Sequence, residues 1–434
     1  MLDSSSKRDR SKSPASSQAD TDEASTPPTQ AEFFTSSNDL STANEEGSLG
    51  EGQWEETYLQ QWAALADNLG GGWFVSGLCS QTIPQLSRTE PAIRFAAMAV
   101  GALASAFSPN TVPGLSTVPA TGTSHYNRAI TYYGRALRLV RLQQNLNSDY
   151  TLRVAIVACG MFACFEALHD SPDAAINHIN HGLMIVEQFM CSHETMTPDA
   201  SGYRTASPGP FVLDNEILLI FRRLECVSWT ARTLRQEPLS PSPVYLCPPR
   251  RDELTPAAAF TDMGVARKCL DSVQHQLIRS MATAGPNSPM VNDQMVLLQQ
   301  WLDAFSPLYK DACSHDSTDR ELYFQVTALL LQYHSVWACL HSSQSDVTEV
   351  PRFREIIQLS KVVLANQPRT AGCTEVFTMD HGTTPGLLVT ATRCADPSIR
   401  AEALSLLKAY PRRDAFWHSQ AIARVIESST ALGT

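Results

Sequence analysis

The sequence has no long uninterrupted hydrophobic run, and it carries little charge for its length. Its most apolar early stretch, residues 91–107, contains Arg94 and falls short of the roughly 20 residues that cross a bilayer. The first residues lack the apolar stretch of a secretory signal. Charged residues make up only 18% of the chain, whereas 43% are hydrophobic, a balance typical of a folded interior. We therefore expect a soluble, intracellular protein that does not enter a membrane.

Signatures of catalysis and metal binding are also missing. The cysteines number 11, none precedes Cys79, and none forms a C-x2-C pair, a pattern that suits a reducing compartment. The sequence contains no G-x-S-x-G nucleophile elbow, no H-E-x-x-H zinc motif and no G-x-x-x-x-G-K phosphate loop. It therefore predicts no catalytic residues, no metal ligands and no cofactor-binding residues, and we do not expect an enzyme.

The best candidate for a metal site is a pair of histidines. His178 and His181 lie three residues apart on one predicted helical face, and Glu166 and His169 precede them. Imidazole and carboxylate groups are ligands that zinc accepts, but the set has neither a thiolate nor the spacing of a known zinc motif. We interpret these side chains as polar contacts within a helical hairpin.

The chain as a whole is acidic, with a net charge of -11. We therefore do not expect the protein to bind a polyanion such as nucleic acid over its whole surface. Two basic groups are present nevertheless. The first lies in the N-terminal tail: Lys7, Arg8, Arg10 and Lys12. The second follows one face of a predicted helix: Arg128, Arg135, Arg138 and Arg141. The tail group is a candidate nuclear localisation signal, and the helical group is a candidate partner-binding surface. For both groups the alternative is that the charges are merely exposed to solvent and bind nothing.

The composition divides the chain into a tail and a helical region. Residues 1–52 are rich in Ser, Thr, Asp, Glu and Pro, so burial cannot offset the entropy lost on ordering, and we predict a disordered tail. From Trp54 onward, apolar residues recur at helical spacing, as in the series Tyr126, Ile130, Tyr133, Leu137 and Val140. We predict one all-α domain over residues 53–432, a multi-helix array of antiparallel helical hairpins with negligible strand content.

Individual helices can be placed within this domain. Residues 152–168 are apolar on nearly every side, which predicts a helix surrounded by others. The Asp170-Ser171-Pro172 sequence predicts a cap and the start of an antiparallel partner. Near the C-terminus, Asp396 is expected to cap one helix and Asp414 to open another that carries Trp417. Further helices are predicted at 211–234, 290–305, 319–342 and 351–366, with loops at 193–210, 236–256 and 282–289.

Four segments resemble the regulatory domain of fungal zinc-cluster transcription factors. They are EPAIRFAAMAVGALASAF (90–107), HYNRAITYYGRAL (125–137), the hairpin ACGMFACFEALHDSPDAAINHINHGLMIVEQ (158–188), and residues 376–427. The last is similar to a C-terminal signature of a helix, a D-P turn and an arginine pair, here Arg412-Arg413, before a tryptophan, here Trp417. Together the segments cover most of the chain from about residue 88. Their order and spacing make the resemblance more specific than any one segment alone.

The resemblance implies an all-helical domain that lies downstream of a DNA-reading module and controls transcription through effectors or partner proteins. Family members usually begin with a six-cysteine cluster that holds zinc and places a helix in the major groove. No such cluster is present in this sequence, so no DNA-reading residue is carried over, and zinc is expected only if a further N-terminal module exists.

We therefore expect a nuclear regulator of a pathway or gene cluster that reaches DNA indirectly. Its expected partners are proteins: a complete zinc-cluster factor, or a second copy of the chain. A helical interaction scaffold outside transcription is the alternative.

Overall fold

In a computed structural model of the chain, nearly all of the described residues lie in helices, which confirms the predicted all-α class. The structure describes residues 51–67, 69, 77–107, 123–142, 148–192, 215–234, 256, 258–285, 288–314, 319–340, 349–366 and 375–432, all within one compact unit that begins at Gly50. Residues 1–50 of the predicted tail, with its basic cluster, lie outside the described residues. Only Glu51 and Gly52 of the tail are described, and they begin the first helix rather than preceding it.

The first half of the described chain builds one hydrophobic core. Its helices are α1 (Glu51–Ala66), a π-helical turn (Leu78–Thr82), α2 (Ile83–Thr89), α3 (Pro91–Ala106), α4 (Ser124–Leu142), α5 (Asp149–Leu168), α6 (Pro172–Ser192) and α7 (Asn215–Leu234). Helix α3 packs against α1, α4 and α5. Its small residues permit a close approach, because a Cβ at Gly101 would overlap the carbonyl oxygen of Tyr58 on α1.

Helix α5 is the central helix of this first core, as predicted, and its buried residues lie on every side. It is the one described helix that is long and apolar enough to cross a membrane, but most of it is buried among other helices, as in the core of a globular protein. It ends in a Schellman motif, in which the Ser171 amide bonds to the Glu166 carbonyl and Asp170 adopts a φ of 68°. Asp170 thus closes α5, and Ser171 precedes α6.

Helix α4 faces the core differently from the prediction. The predicted core residues, such as Ile130 and Leu137, are only partly buried, and the fully buried positions are Ala129, Tyr132 and Ala136. The reason is that α4 is covered on two sides. Tyr133 stacks on Phe165 of α5, while the two alanines leave room for α3.

The second half builds a second core. Its helices are α8 (Met263–Ala284), α9 (Pro289–Ala312), α10 (Arg320–Leu340), α11 (Val350–Asn366), α12 (Thr384–Arg393), α13 (Pro397–Ala409) and α14 (Ser419–Leu432). Trp301 stacks on Phe305 and Tyr333 at ring distances of 4.6 and 5.7 Å. Helix α9 continues through Pro307 to Ala312, beyond its predicted end, because burial of the flanking Phe305 and Ala312 outweighs the cost of the proline. The sequence did not predict α8.

A small sheet joins the C-terminal segment to both cores. Strands β1 (Val376–Thr378) and β2 (Arg412–Asp414) are parallel, and β3 (Trp417–His418) pairs antiparallel with β2. The prediction that Asp414 opens a helix is therefore wrong, and α14 begins at Ser419. Asp414 instead accepts hydrogen bonds from Arg412 and from the Thr384 amide, and Ala415 turns the chain with a φ of 50°. The predicted cap of α13 by Asp396 is confirmed.

Candidate functional site

A cavity of about 530 Å³ lies where the two cores meet. Elements of the first core, including α1, α5 and α7, form one part of its wall. Helices α8 and α10 and the segment that follows β1 form the rest. A molecule bound in this cavity would therefore touch both cores.

Apolar side chains make up most of the cavity wall. They are Trp62, Leu69, Leu78, Ile83, Val157, Met161, Leu219, Ile220, Phe221, Leu224 and Met379. The position of Phe221 depends on Gly182. A Cβ at Gly182 would overlap the Phe221 ring, whereas a Cβ at Gly160 would lie 3.8 Å from it. Gly182 thus allows α6 and α7 to approach each other, and Gly160 is part of the cavity wall.

Two cysteines also line the cavity, Cys79 on the π-helical turn and Cys164 on α5. Burial, together with the nearby Cys79, raises the pKa of the Cys164 thiol well above its ordinary value. The thiolate is the nucleophilic form of cysteine, so Cys164 is a neutral wall residue at physiological pH.

A buried polar network borders the cavity and connects α7, α8, α10 and the segment after β1. Arg223 on α7 donates to Asp271 on α8 at 2.6 Å, and Arg267 on α8 pairs with Asp380. Gln332 on α10 donates to Asp271 at 3.1 Å and to Gln274 at 2.9 Å. Buried charges are tolerated when they are paired and hydrogen-bonded in this way.

The pKa shifts of Asp380 and His381 indicate which side chains of this network carry a charge. Burial would raise the pKa of Asp380, but the positive charges of Arg267 and Arg223 outweigh burial and lower it. Burial lowers the pKa of His381, which Asp380 and Asp271 only partly oppose. Its imidazole is thus neutral at pH 7, and Nε2 lies 3.0 Å from the Gln274 amide nitrogen. Two arginines face two carboxylates, and the imidazole adds no net charge.

Three further charged residues line the cavity. Glu216 accepts a hydrogen bond from the Leu78 amide at 3.0 Å, and Glu321 accepts one from Gln325 at 3.1 Å. Lys268 is exposed on α8, and no ion pair with it is found among the described residues. Its ammonium group is therefore available to a ligand oxygen.

The arginine face predicted as a partner surface is only partly free. Arg128 lies 5.1 Å from the ring centre of Trp54, and Arg135 lies 5.7 Å from that of Phe95. Arg138 and Arg141 are exposed near the C-terminal end of α4. The first two arginines thus cover aromatic rings of their own chain, and the last two are best placed to contact a partner.

Tyrosine hydroxyls contact histidines and the glutamate of the candidate metal site. The Tyr133 hydroxyl donates to Glu166 at 2.6 Å and lies 3.0 Å from Nε2 of His178. The Tyr126 hydroxyl lies 3.0 Å from Nε2 of His169. Burial, with His181 and Arg141 nearby, lowers the pKa of His178 to about 4. Among the described residues, no group of three or more His, Cys, Asp and Glu side chains is arranged to hold a metal.

The arginine pair of the C-terminal signature is buried and joins parts of the fold. Arg412 donates to Asp414 within β2 at 2.6 Å. Arg413 bonds to Glu375 at 3.2 Å and to the carbonyl of Leu168, the last residue of α5, at 3.3 Å. Arg413 therefore holds the small sheet against the end of α5, Arg412 is tied within β2, and both side chains are buried.

The residues of the polar network were not predicted from the sequence. Two signals for α8 are present nonetheless: Asp262 is its N-cap, and Ala266, Leu270, Val273 and Leu277 recur at helical spacing. Arg267, Asp271 and Gln274 form a second stripe with a similar spacing. A polar stripe is typical of a solvated surface, so the pattern alone does not reveal its burial.

Comparisons of the chain with protein-family models, with curated proteins and with solved structures find no match. The site is therefore interpreted from its own geometry. Its arrangement is that of a binding cavity, with apolar walls and a neutralised polar border.

Proposed function

We propose that this chain is a nuclear regulator of transcription whose helical domain responds to an effector or a partner protein. The observation that carries the proposal is the cavity between the two cores. An effector changes a protein's behaviour only if it binds one arrangement of that protein better than another. A ligand that touches α5 and α7 as well as α8 and α10 has such differential contacts, because any shift between the cores alters them.

The four resembling segments support the same proposal. Residues 90–107 form α3 with its N-cap, residues 125–137 lie in α4, and residues 158–188 lie in the α5–α6 hairpin. These helices pack against one another in the first core. Residues 376–427 form the small sheet and the last helices, which pack on both cores. The segments are thus parts of one folded unit rather than scattered similarities.

The proposed route to DNA is indirect. The chain would reach a promoter through another protein, either a complete zinc-cluster factor or a second copy of itself. The exposed Arg138 and Arg141 are the proposed contact with that partner. No catalytic step is part of the proposal.

A tethering experiment tests the proposal without knowledge of the target genes. The full chain is fused to an unrelated DNA-binding domain and its effect on a reporter gene is measured, while a tagged copy is located by microscopy. We expect nuclear accumulation and a change in reporter expression that requires the helical domain. Cytoplasmic retention, an inert fusion and stable co-purifying partners would together support the scaffold alternative and overturn the proposal.

A further inference from the structure

The cavity also carries information on the chemical class of its ligand, an inference that rests on the proposed role of this cavity as an effector site. Its volume of about 530 Å³ falls within the range of pockets that hold small organic molecules. Its wall is mostly aliphatic and aromatic, so the main contribution to affinity is burial of apolar ligand surface.

The charges around the cavity argue against a charged ligand. Arg223 and Arg267 lie at its border, but each already has a carboxylate partner within the protein. An anionic group that entered would meet Glu216, Glu321 and Asp380 as well as Lys268. A cationic group would meet both arginines and Lys268. The lining carries as many positive as negative side chains, so it does not favour an ion of either sign enough to offset the loss of its hydration.

We infer that the cavity binds an uncharged, largely apolar small molecule that carries a hydrogen-bond-accepting oxygen near Lys268. The accepting oxygen is assigned to the Lys268 end because that ammonium is exposed and has no ion pair among the described residues. The remainder of the molecule lies against the apolar side chains of α5 and α7, beside Gly160 in the wall formed by α5.

Gly160 gives a direct way to close the cavity. A Cβ at this position meets only Phe221 ring carbons, at 3.8 and 3.9 Å, so the larger side chain of Gly160→Leu would occupy space that the ligand needs. Gly134 on α4 is a matched control, because it is also a helical glycine, is exposed, and would have no atom within 4 Å of an added Cβ. Gly134→Leu adds the same atoms away from the cavity.

The experiment titrates the purified full chain with Nile red, an uncharged apolar dye with a carbonyl group, and follows its fluorescence. We expect saturable binding to the unmodified chain and to Gly134→Leu, and binding at least tenfold weaker for Gly160→Leu. Circular dichroism and thermal unfolding report whether each variant is folded. If Gly160→Leu does not fold, Leu219→Trp, which fills the cavity from α7, takes its place and is expected to weaken binding equally.

Three outcomes would overturn the inference: no saturable binding of Nile red, equal binding by the folded cavity-filled variant, or tighter cavity binding by the anionic dye 1-anilinonaphthalene-8-sulfonate. Failure of the proposed function looks different. In that case Nile red binds and the cavity-filled variant loses it, but the tethered chain leaves the reporter unchanged. A regulated reporter combined with a cavity that binds no dye would reject the ligand class alone.

Discussion

Helices α5 and α8 are both buried, but they are buried by different means. Helix α5 presents apolar side chains in all directions, from Val154 to Leu168. Helix α8 places apolar residues such as Leu270 against the second core, and it buries Arg267, Asp271 and Gln274 at the junction between the cores.

The two kinds of burial respond differently to substitution and to displacement of a helix. An apolar core tolerates hydrophobic substitutions of similar volume, since dispersion contacts are not directional. The polar junction allows one arrangement, in which every charge meets its partner, and a displaced helix would leave buried charges unpaired. A shift between the two cores would therefore be most costly at this junction.

The largest expected effect comes from breaking a charge pair at the junction. Arg267→Met leaves Asp380 without its main counter-charge, and we expect the free energy of unfolding to fall by about 3–5 kcal/mol. Lys268→Met is the matched control on the same helix, because Lys268 is exposed and has no ion pair among the described residues, and its expected change is within about 0.5 kcal/mol. Urea denaturation measures both.

The double variant Arg267→Met with Asp380→Asn sharpens this test, since it removes both charges. We expect it to be more stable than Arg267→Met alone. If the single variant loses no more stability than Lys268→Met, the pair does not hold the junction together.

The apolar region could be predicted from the sequence, whereas the junction could not, for a physical reason. The uniform hydrophobicity of residues 152–168 indicates burial by itself, so the prediction of α5 as a central helix is confirmed. The role of Asp271 depends on Arg223 and Gln332, which lie 48 and 61 residues away along the chain. No local pattern contains such pairings. The cavity likewise could not be predicted from the sequence, because it arises from how α5, α7 and α8 pack rather than from any segment alone.

Breaking the apolar region requires a steric change instead of a charge. Gly101→Ala places a Cβ against the Tyr58 carbonyl, so α1 and α3 must separate, and we expect a loss of about 2–3 kcal/mol by overpacking. Gly134→Ala on α4 is the control, and it should gain up to about 1 kcal/mol from helix propensity. Thermal unfolding that shows equal shifts for the two variants would contradict the close packing of α1 and α3.

The pH dependence of stability compares buried histidines in the two regions. Burial, with Arg352 nearby, lowers the pKa of His334 in the second core to about 4 from 6.5. Between these values the unfolded chain binds a proton that the folded chain does not, so stability falls as the pH falls from 6.5 to 4. The pKa values of Asp380 and Glu375 are lowered from 3.8 and 4.5, so their pairs lose stability at more acidic pH.

We therefore expect His334→Leu to reduce the stability lost between pH 7 and pH 5 by about 2 kcal/mol. His178→Asn in the first core should reduce it by a similar amount, since burial lowers the pKa of His178 to about 4 as well. Urea titrations at the two pH values give both numbers. An unchanged difference for His334→Leu would mean that the pKa of this histidine is the same in the folded and unfolded chain.

The smallest effect on stability is expected at the surface, where the effect on function is predicted to be largest. Arg138→Glu with Arg141→Glu should change the free energy of unfolding by less than about 0.5 kcal/mol, because both side chains are exposed. The control is Lys310→Glu with Arg354→Glu, which makes the same change in net charge at exposed positions on the helices that form the second core. If an acidic partner binds α4, capture of that partner from cell extract fails for the first pair of substitutions and persists for the second. Equal capture by both would show that these arginines merely solvate the helix.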